Sequence, residues 1–189
     1  MVRYFVPTDF KATFPTTRII VDGTEYPMKQ PMALRAQATF SSYESRNTVT
    51  ILVGSTPGGL VNVVSDAYGG CTSDRQIVER SNIVQLCEPG DSVMADKGFN
   101  VQDLFARMNI TVNIPTFFKK RNRISGKIIS SDRKVSSKRV HIERIIGLGK
   151  TYKILTNSLK STETKLSSHI TYCCFMLYNF RTCIVPKDA

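Results

Sequence analysis

The sequence lacks the features of membrane-spanning, secreted and disulfide-rich proteins. It contains no run of about 18 apolar residues, the length that a transmembrane helix needs. Segment 1–7 has no apolar core of signal-peptide length and no small-residue cleavage site. The five cysteines are odd in number and form no CxxC pair, so neither a disulfide framework nor a zinc site is predicted. We therefore expect reduced thiols and a cytosolic or nuclear location, without secretion.

Acidic residues are also scarce. The 189 residues include 26 Lys or Arg against 15 Asp or Glu, which gives a formal net charge of +11. The segment from Lys119 to Lys150 contains 11 basic residues and only two acidic ones, Asp132 and Glu143. A net charge of +9 out of +11 therefore lies in about a sixth of the chain. Such a balance favours a polyanionic partner, namely DNA, RNA or an anionic membrane surface. The Lys119–Lys150 stretch is the predicted nucleic-acid contact.

Length and hydrophobic patterning predict one α/β domain. With 41% hydrophobic residues, a chain of 189 residues can bury a single core, and two full domains would be cramped. Segment 1–17 is predicted to be an irregular lead-in, and segment 18–189 a single domain. A turn at 55–58 between two apolar runs predicts an antiparallel hairpin. Helices are predicted after the caps Ser73 and Asn100, around Glu143, and over 165–180.

The order of these elements predicts a ribonuclease-H-like fold. Three strands precede the first predicted helix, and strands and helices then alternate around a mixed sheet. Segment 119–135 is polar, basic and weakly periodic, and is predicted to be a loop that leads to the Glu143 helix. Gly147 and Gly149 cost that helix about 1 kcal/mol each relative to Ala, so an early end is expected. In such a fold, acidic residues converge where neighbouring strands end beside a helix.

Three carboxylates are the candidate metal ligands, because a basic chain is expected to keep acids together only where a cation needs them. Asp22 and Asp96 each follow an apolar run that reads as a strand ending at the acid. Both can instead begin a turn, since a glycine follows closely. Glu143 can alternatively pair with Arg139, one helical turn earlier. Asp74 is the rival to Asp96 for the second acid, although its charge also suits a helix start.

Five short motifs occur in a fixed order along the chain: 22–25 (DGTE), 41–48 (SSYESRNT), 67–74 (AYGGCTSD), 94–99 (MADKGF) and 139–144 (RVHIER). Together they resemble the DDE superfamily endonuclease domain of PIF/Harbinger-like transposases and their domesticated derivatives. The resemblance runs from about Phe10 to the carboxyl terminus. The 46 residues between Asp96 and Glu143 are similar to that family's wide spacing between its second and third acids.

The resemblance implies cleavage of DNA phosphodiesters by two divalent ions, Mg²⁺ or Mn²⁺, about 3.5 to 4 Å apart. It implies that Asp22 bridges both ions, that Asp96 binds one and that Glu143 binds the other. Strand transfer is a further implied activity. Related transposases commonly carry an upstream DNA-reading module, whereas about 17 residues precede the first predicted strand here. We therefore expect a separate protein to supply sequence recognition in the nucleus, and the oligomeric state stays open.

The basic stretch supplies the candidate phosphate contacts, which give salt-sensitive affinity with little sequence preference. His141 lies two residues from Glu143 and is predicted to face solvent or DNA. A catalytically inactive DNA-binding or protein-interaction module is the alternative function. The presence of all three acids favours a nuclease, because a binding role gains nothing from clustered negative charge. The leading contact candidates are Lys119, Lys120, Arg121 and Arg123, followed by Lys138, Arg139 and Lys150.

Overall fold

The structure, a computed structural model, describes residues 6–31, 33–115, 126–160, 163–182 and 184–185. The strands are β1 (Thr17–Pro27), β2 (Phe40–Ser41), β3 (Arg46–Ser55), β4 (Val61–Val64), β5 (Tyr68–Gly69), β6 (Ser92–Met94) and β7 (Thr111–Asn113). The helices are α1 (Thr8–Thr13), α2 (Ala33–Thr39), α3 (Asp74–Arg80), α4 (Gln102–Ala106), α5 (Gly126–Gly149), α6 (Lys153–Thr156) and α7 (Ser167–Tyr178). Two short 3-10 turns span Val84–Leu86 and Thr164–Leu166.

The strands form one mixed sheet. Its central order is β2, β3, β1, β6 and β7, and β4 and β5 also pair with β3. Strand β1 runs antiparallel to β3 but parallel to β6, and β6 runs parallel to β7. Strands β3 and β4 form the predicted antiparallel hairpin. The mixed sheet with helices on both faces confirms the predicted ribonuclease-H-like α/β fold.

Strand β1 sends its side chains alternately to two hydrophobic layers. Ile19 and Val21 pack into one buried cluster, whereas Ile20 packs into the other. This follows from strand geometry, since successive side chains point to opposite faces of a sheet. Asp22 therefore shares the face of Ile20, which is the face that α5 covers.

Both faces of the sheet are covered by apolar helix surfaces. On one face, α5 and α7 contribute the fully buried Ile142 and Phe175. On the other face, α3 and α4 contribute the equally buried Ile77 and Phe105. Each such side chain stabilises the fold by about 1.5 to 3 kcal/mol relative to an exposed position. The two layers together hold β1 and β6 in the register that positions the site.

Helix α3 begins with the cap that the sequence predicts. The Ser73 hydroxyl accepts a hydrogen bond from the backbone N–H of Gln76, and the Gln76 side chain accepts one from the backbone N–H of Ser73. This reciprocal capping box satisfies two N–H groups that an α-helix leaves unpaired. The cap fixes Asp74 as the first residue of the helix.

Helix α5 is longer than predicted at both ends. Segment 126–135 is helical, so the predicted loop 119–135 is wrong for that part, while 119–125 lies outside the described residues. The helix also passes Gly147 and ends at Gly149, because its packing on the sheet outweighs the low helix propensity of glycine. A Cβ at Gly149 would lie 2.4 Å from the Phe175 ring, so this glycine permits the close approach of α7. No helix in the described ranges, α5 included, is long and apolar enough to cross a membrane.

Three smaller differences from the sequence predictions have local causes. Segment 1–17 contains α1, which forms because the fully buried Phe10 gives it an apolar anchor. Helix α4 begins at Gln102 with Val101 as its N-cap, so Asn100 is not the cap. Helix α2 lies between β1 and β2, so one helix interrupts the strands that were predicted to be consecutive.

Candidate active site

Asp22 and Asp96 lie at the same level because β1 and β6 pair in parallel. Ile20 of β1 is level with Met94 of β6, and each acid follows two residues later. Strand β6 ends at Met94, so Asp96 follows its strand closely, as predicted. Strand β1 continues to Pro27, because β3 goes on pairing with it beyond Asp22. The prediction that a strand ends at Asp22 is therefore wrong, although the two acids meet.

Helix α5 adds Glu143 to these two acids and places Arg139 between all three. Nη1 of Arg139 donates a hydrogen bond of 2.7 Å to Oδ1 of Asp96. Its Nη2 lies 3.8 Å from Oδ2 of Asp22 and 3.7 Å from Oε1 of Glu143. The structure thus brings together the three predicted carboxylates around one guanidinium. The alternative interpretation of Glu143, an ion pair with Arg139, is present in the same arrangement.

Arg139 is the most buried member of this group. Only 9% of its side chain is exposed, against 48% for Asp96 and 55% for Glu143, and its Nε has no hydrogen-bond partner among the described residues. Its place on the helix explains this, since Arg139 continues the buried stripe formed by Val135, Ile142 and Ile146 at spacings of three and four. Arg139 therefore lies under the acids, not on the phosphate-facing surface that we predicted. A cation within an apolar helix stripe was the sequence signal that could have identified its position.

Asp22 is the acid most affected by its surroundings. Burial raises its pKa to about 6, Arg139 opposes that rise, and Asp96 and Glu143 add to it. The backbone N–H of Gly23 donates a 3.0 Å hydrogen bond to Oδ1 of Asp22, which favours the ionised form. Asp22 is therefore mostly ionised at neutral pH and partly protonated near pH 6, where an approaching cation favours the ionised form.

An open cleft of about 510 Å³ lies over the acids. Among the described residues that line it, six are carboxylates and two, Arg139 and Lys150, are cations, in a chain with a net charge of +11. Burial lowers the pKa of Lys150, while Glu44 and Glu25 work in the opposite direction. Negative charge of this density favours a bound cation. The six carboxylates are Asp22, Glu25, Glu44, Asp74, Asp96 and Glu143.

Asp74 lies in the same cleft as the three predicted acids. Its carboxylate packs against the backbone of Gly23, where a Cβ would come within 2.7 Å of the Asp74 Oδ1 atom. Burial raises the pKa of Asp74, and Glu25 and Asp96 raise it further. The lack of a side chain at Gly23 therefore lets a carboxylate from α3 reach the site. Asp74 and Asp96 both line the cleft.

Two further groups of α5, predicted to face solvent or DNA, are buried. Lys138 forms an ion pair with Asp9, and its Nζ lies 5.5 Å from the centre of the Phe10 ring. His141 is 8% exposed, and burial lowers its pKa, as do the charges of Arg144 and Lys138. Both side chains are covered because the chain packs around α5 more fully than its sequence pattern indicates. The predicted contacts Lys119, Lys120, Arg121 and Arg123 lie outside the described residues.

The donor chemistry of the cleft fits a hard divalent cation. Mg²⁺ and Mn²⁺ prefer carboxylate oxygens, and Asp96 and Glu143 present theirs to open solvent. In the part of the chain that the structure describes, no group of three or more ligand side chains is arranged closely enough to hold a metal ion. Arg139 accounts for this, since its guanidinium lies between the three carboxylates. The three carboxylates have the right chemistry to bind a metal ion, but in this structure they are spaced around the guanidinium of Arg139.

Comparison with known families agrees with this geometry. The family model described as DDE superfamily endonuclease matches residues 21–179. That range begins just before Asp22, includes Asp96 and Glu143, and extends past the end of α7. No significant match was found among curated proteins or among solved structures.

Proposed function

Because this chain belongs to the DDE superfamily of endonucleases, we propose that it cleaves DNA phosphodiester bonds with divalent metal ions held by Asp22, Asp96 and Glu143. One observation carries the proposal, namely that these acids surround a single cation position in an acidic cleft of a basic protein. The five sequence motifs support a PIF/Harbinger-like transposase, or a nuclease derived from one, as the subfamily.

The three acids would hold the metal ions. Divalent ions such as Mg²⁺ or Mn²⁺ would supply Lewis acidity that activates the nucleophile and stabilises the leaving oxygen of an in-line displacement. By resemblance to the family, Asp22, the most buried of the three, would contact both ions, and Asp96 and Glu143 would each hold one. Because burial raises the pKa of Asp22 to about 6, metal binding should be accompanied by proton release from this side chain at or below about pH 6.

DNA is the proposed substrate, and Lys150 together with exposed basic residues of α5 is proposed to bind its phosphates. Lys150 lies in the cleft itself, and Arg133 and Lys134 are exposed on the first half of α5. Without metal, the six carboxylates of the cleft repel a phosphate backbone, so we expect DNA to enter the cleft only when divalent ions are present. A separate protein is proposed to supply sequence recognition in the nucleus.

A catalytically inactive DNA-binding module is the second candidate function. The ion pairs of Arg139 with all three acids favour it, because a permanent guanidinium there would neutralise the carboxylates without chemistry. The two candidates differ in one respect. Only the nuclease needs the negative charge of Asp96 and Glu143.

Nicking of supercoiled plasmid DNA in Mg²⁺ or Mn²⁺ tests the proposal. We expect the wild-type chain to nick the plasmid, and Asp96→Asn and Glu143→Gln to lower the rate by at least about a hundredfold, because each removes one metal-binding charge. The matched control is Asp66→Asn, an exposed carboxylate outside the cleft, which should leave the rate unchanged.

The same proteins are assayed for DNA binding by gel shift. The nuclease proposal predicts that the slow variants still bind DNA. Equal nicking by all four proteins would show that the acids are not catalytic. DNA binding without any nicking by the wild type would instead support the inactive module.

A further inference from the structure

The guanidinium of Arg139 occupies the point at which the three acids converge. We infer that Arg139 is an internal cation that closes the metal site, and that it leaves this position before the carboxylates bind divalent ions. The inference rests on the proposed function. It adds that Arg139 and divalent ions compete for the three carboxylates, although Arg139 was predicted to lie on the DNA-facing surface.

The spacing of the carboxylates supports competition for one place. Nη1 of Arg139 lies 2.7 Å from Asp96, and Nη2 lies 3.8 Å from Asp22 and 3.7 Å from Glu143. A divalent ion such as Mg²⁺ holds oxygen ligands at about 2.0 to 2.1 Å and needs them closer together. The planar guanidinium therefore keeps the acids too far apart for a shared ion. Direct contact of all three acids with one ion therefore requires Arg139 to leave the space between them.

The ion pairs of Arg139 are also incomplete. Arg139 donates a 2.7 Å hydrogen bond to Asp96 but lies 3.8 Å from Asp22 and 3.7 Å from Glu143, and its buried Nε has no hydrogen-bond partner in the part of the chain that the structure describes. A buried cation is costly unless it is fully paired and hydrogen-bonded. Arg139 is thus held by charge more than by well-formed hydrogen bonds, which lowers the cost of moving it.

The exposure of the acids allows a metal ion to approach from the cleft and replace Arg139. Asp96 and Glu143 are about half exposed on the cleft side, whereas Arg139 rises from the buried stripe of α5. A metal ion can reach the outer oxygens first, and the guanidinium then turns towards the solvent of the cleft. Because the closed state binds no metal, its population lowers the apparent metal affinity of the chain.

Titration of Mn²⁺ into the full chain without DNA, followed by isothermal calorimetry, tests this inference. We expect Arg139→Gln to bind Mn²⁺ at least about tenfold more tightly than the wild type, within the range of typical coupling between two sites. The matched control is Arg144→Gln, which removes the same charge from an exposed position on the same helix and should change the affinity by less than about twofold. Equal or weaker binding by folded Arg139→Gln overturns the inference.

A second measurement needs no substitution, in case Arg139→Gln does not fold. Phenylglyoxal modifies accessible arginines, and peptide mass spectrometry reports the rate at each position. We expect Mg²⁺ to raise the modification rate of Arg139 by at least about fivefold, while the exposed Arg144 serves as an internal reference. An unchanged or slower rate for Arg139 in saturating Mg²⁺ contradicts its departure from the acids.

Failure of this inference is distinguishable from failure of the proposed function. If the wild type binds Mn²⁺, Glu143→Gln loses binding and Arg139→Gln gains nothing, only the competition is disproved. If neither the wild type nor Arg139→Gln binds Mn²⁺, the metal-dependent function fails together with it. Undetectable binding by the wild type with measurable binding by Arg139→Gln supports the inference in its strongest form.

Discussion

The two helical layers on opposite faces of the sheet bury different chemistry. Helices α3 and α4 bury only apolar side chains, such as Ile77 and Phe105. Helix α5 buries Arg139, Lys138 and His141 beside its isoleucines. Buried charges are poor stabilisers, since apolar residues of similar volume often hold a core as well or better. The difference indicates that the α3 and α4 layer mainly supports the sheet and adds Asp74 to the cleft, whereas the α5 layer supplies the buried cation of the site.

The largest expected effects test whether both layers stabilise the fold equally. Phe105→Ala in one layer and Phe175→Ala in the other should each lower the free energy of unfolding by about 3 to 5 kcal/mol, because both rings are fully buried. Urea denaturation followed by circular dichroism measures the change. A loss below about 1 kcal/mol in either variant would show that its layer contributes little to the core.

The pH dependence of stability tests the buried charge on the α5 side. Burial raises the pKa of Asp22 to about 6 in the folded state from 3.8, so the folded protein holds a proton that the unfolded chain has lost. Stability should therefore fall as the pH rises from about 4 to 6, at a cost on the order of 2 to 3 kcal/mol. Asp22→Asn removes this titration.

Metal-free unfolding of wild type and Asp22→Asn at several pH values measures that difference. The variant should gain stability relative to the wild type as the pH rises through the window, and the gain should level off above it. Curves that stay parallel would mean that burial does not disfavour the Asp22 carboxylate.

Two glycines of α5 separate packing against α7 from intrinsic helix propensity. Gly149→Ala should lower the free energy of unfolding by about 1 to 3 kcal/mol, because the new Cβ meets the Phe175 ring at 2.4 Å. Gly147→Ala is the matched control, since among the described residues no atom outside its own stretch of helix lies within 4 Å of its added Cβ. That variant should gain about 0.5 to 1 kcal/mol. Thermal melts of both proteins check the opposite signs.

The smallest expected effect concerns the opposite layer. Ser73→Ala removes the hydroxyl that accepts the Gln76 N–H and should cost about 1 kcal/mol of unfolding free energy. Ser137→Ala, an exposed substitution within α5, is the control and should be neutral or slightly stabilising. Equal melting temperatures for Ser73→Ala and the wild type would argue against a contribution of this cap.

Local sequence patterns identified the acids but not the cation among them. Asp96 follows an apolar run, and Glu143 lies on a periodic helix, so both positions could be read from neighbouring residues. The position of Arg139 depends on how α5 is rotated against the sheet, which is a tertiary property. Its stripe of apolar neighbours contained that information, whereas its place in a basic segment suggested the surface.

Asp74 was predicted as a rival for the second acid, but how it reaches the cleft could not be predicted from its own segment. It begins α3, on the layer opposite α5, and reaches the cleft only because Gly23 leaves room beside β1. The length of β1 has a similar cause, since pairing with β3 carries the strand past Asp22. Strand pairing therefore sets the length of β1, and packing between the layers sets the position of Asp74. Neither can be predicted from the local sequence pattern.

The most direct test of the central claim is a crystal structure of the chain soaked in Mn²⁺, with anomalous difference maps recorded at the manganese edge. We predict peaks in contact with carboxylate oxygens of Asp22, Asp96 and Glu143, with the Arg139 side chain turned away from them. Peaks bound elsewhere, or an Arg139 guanidinium still paired with all three acids at saturating Mn²⁺, would contradict a metal-dependent site in this cleft.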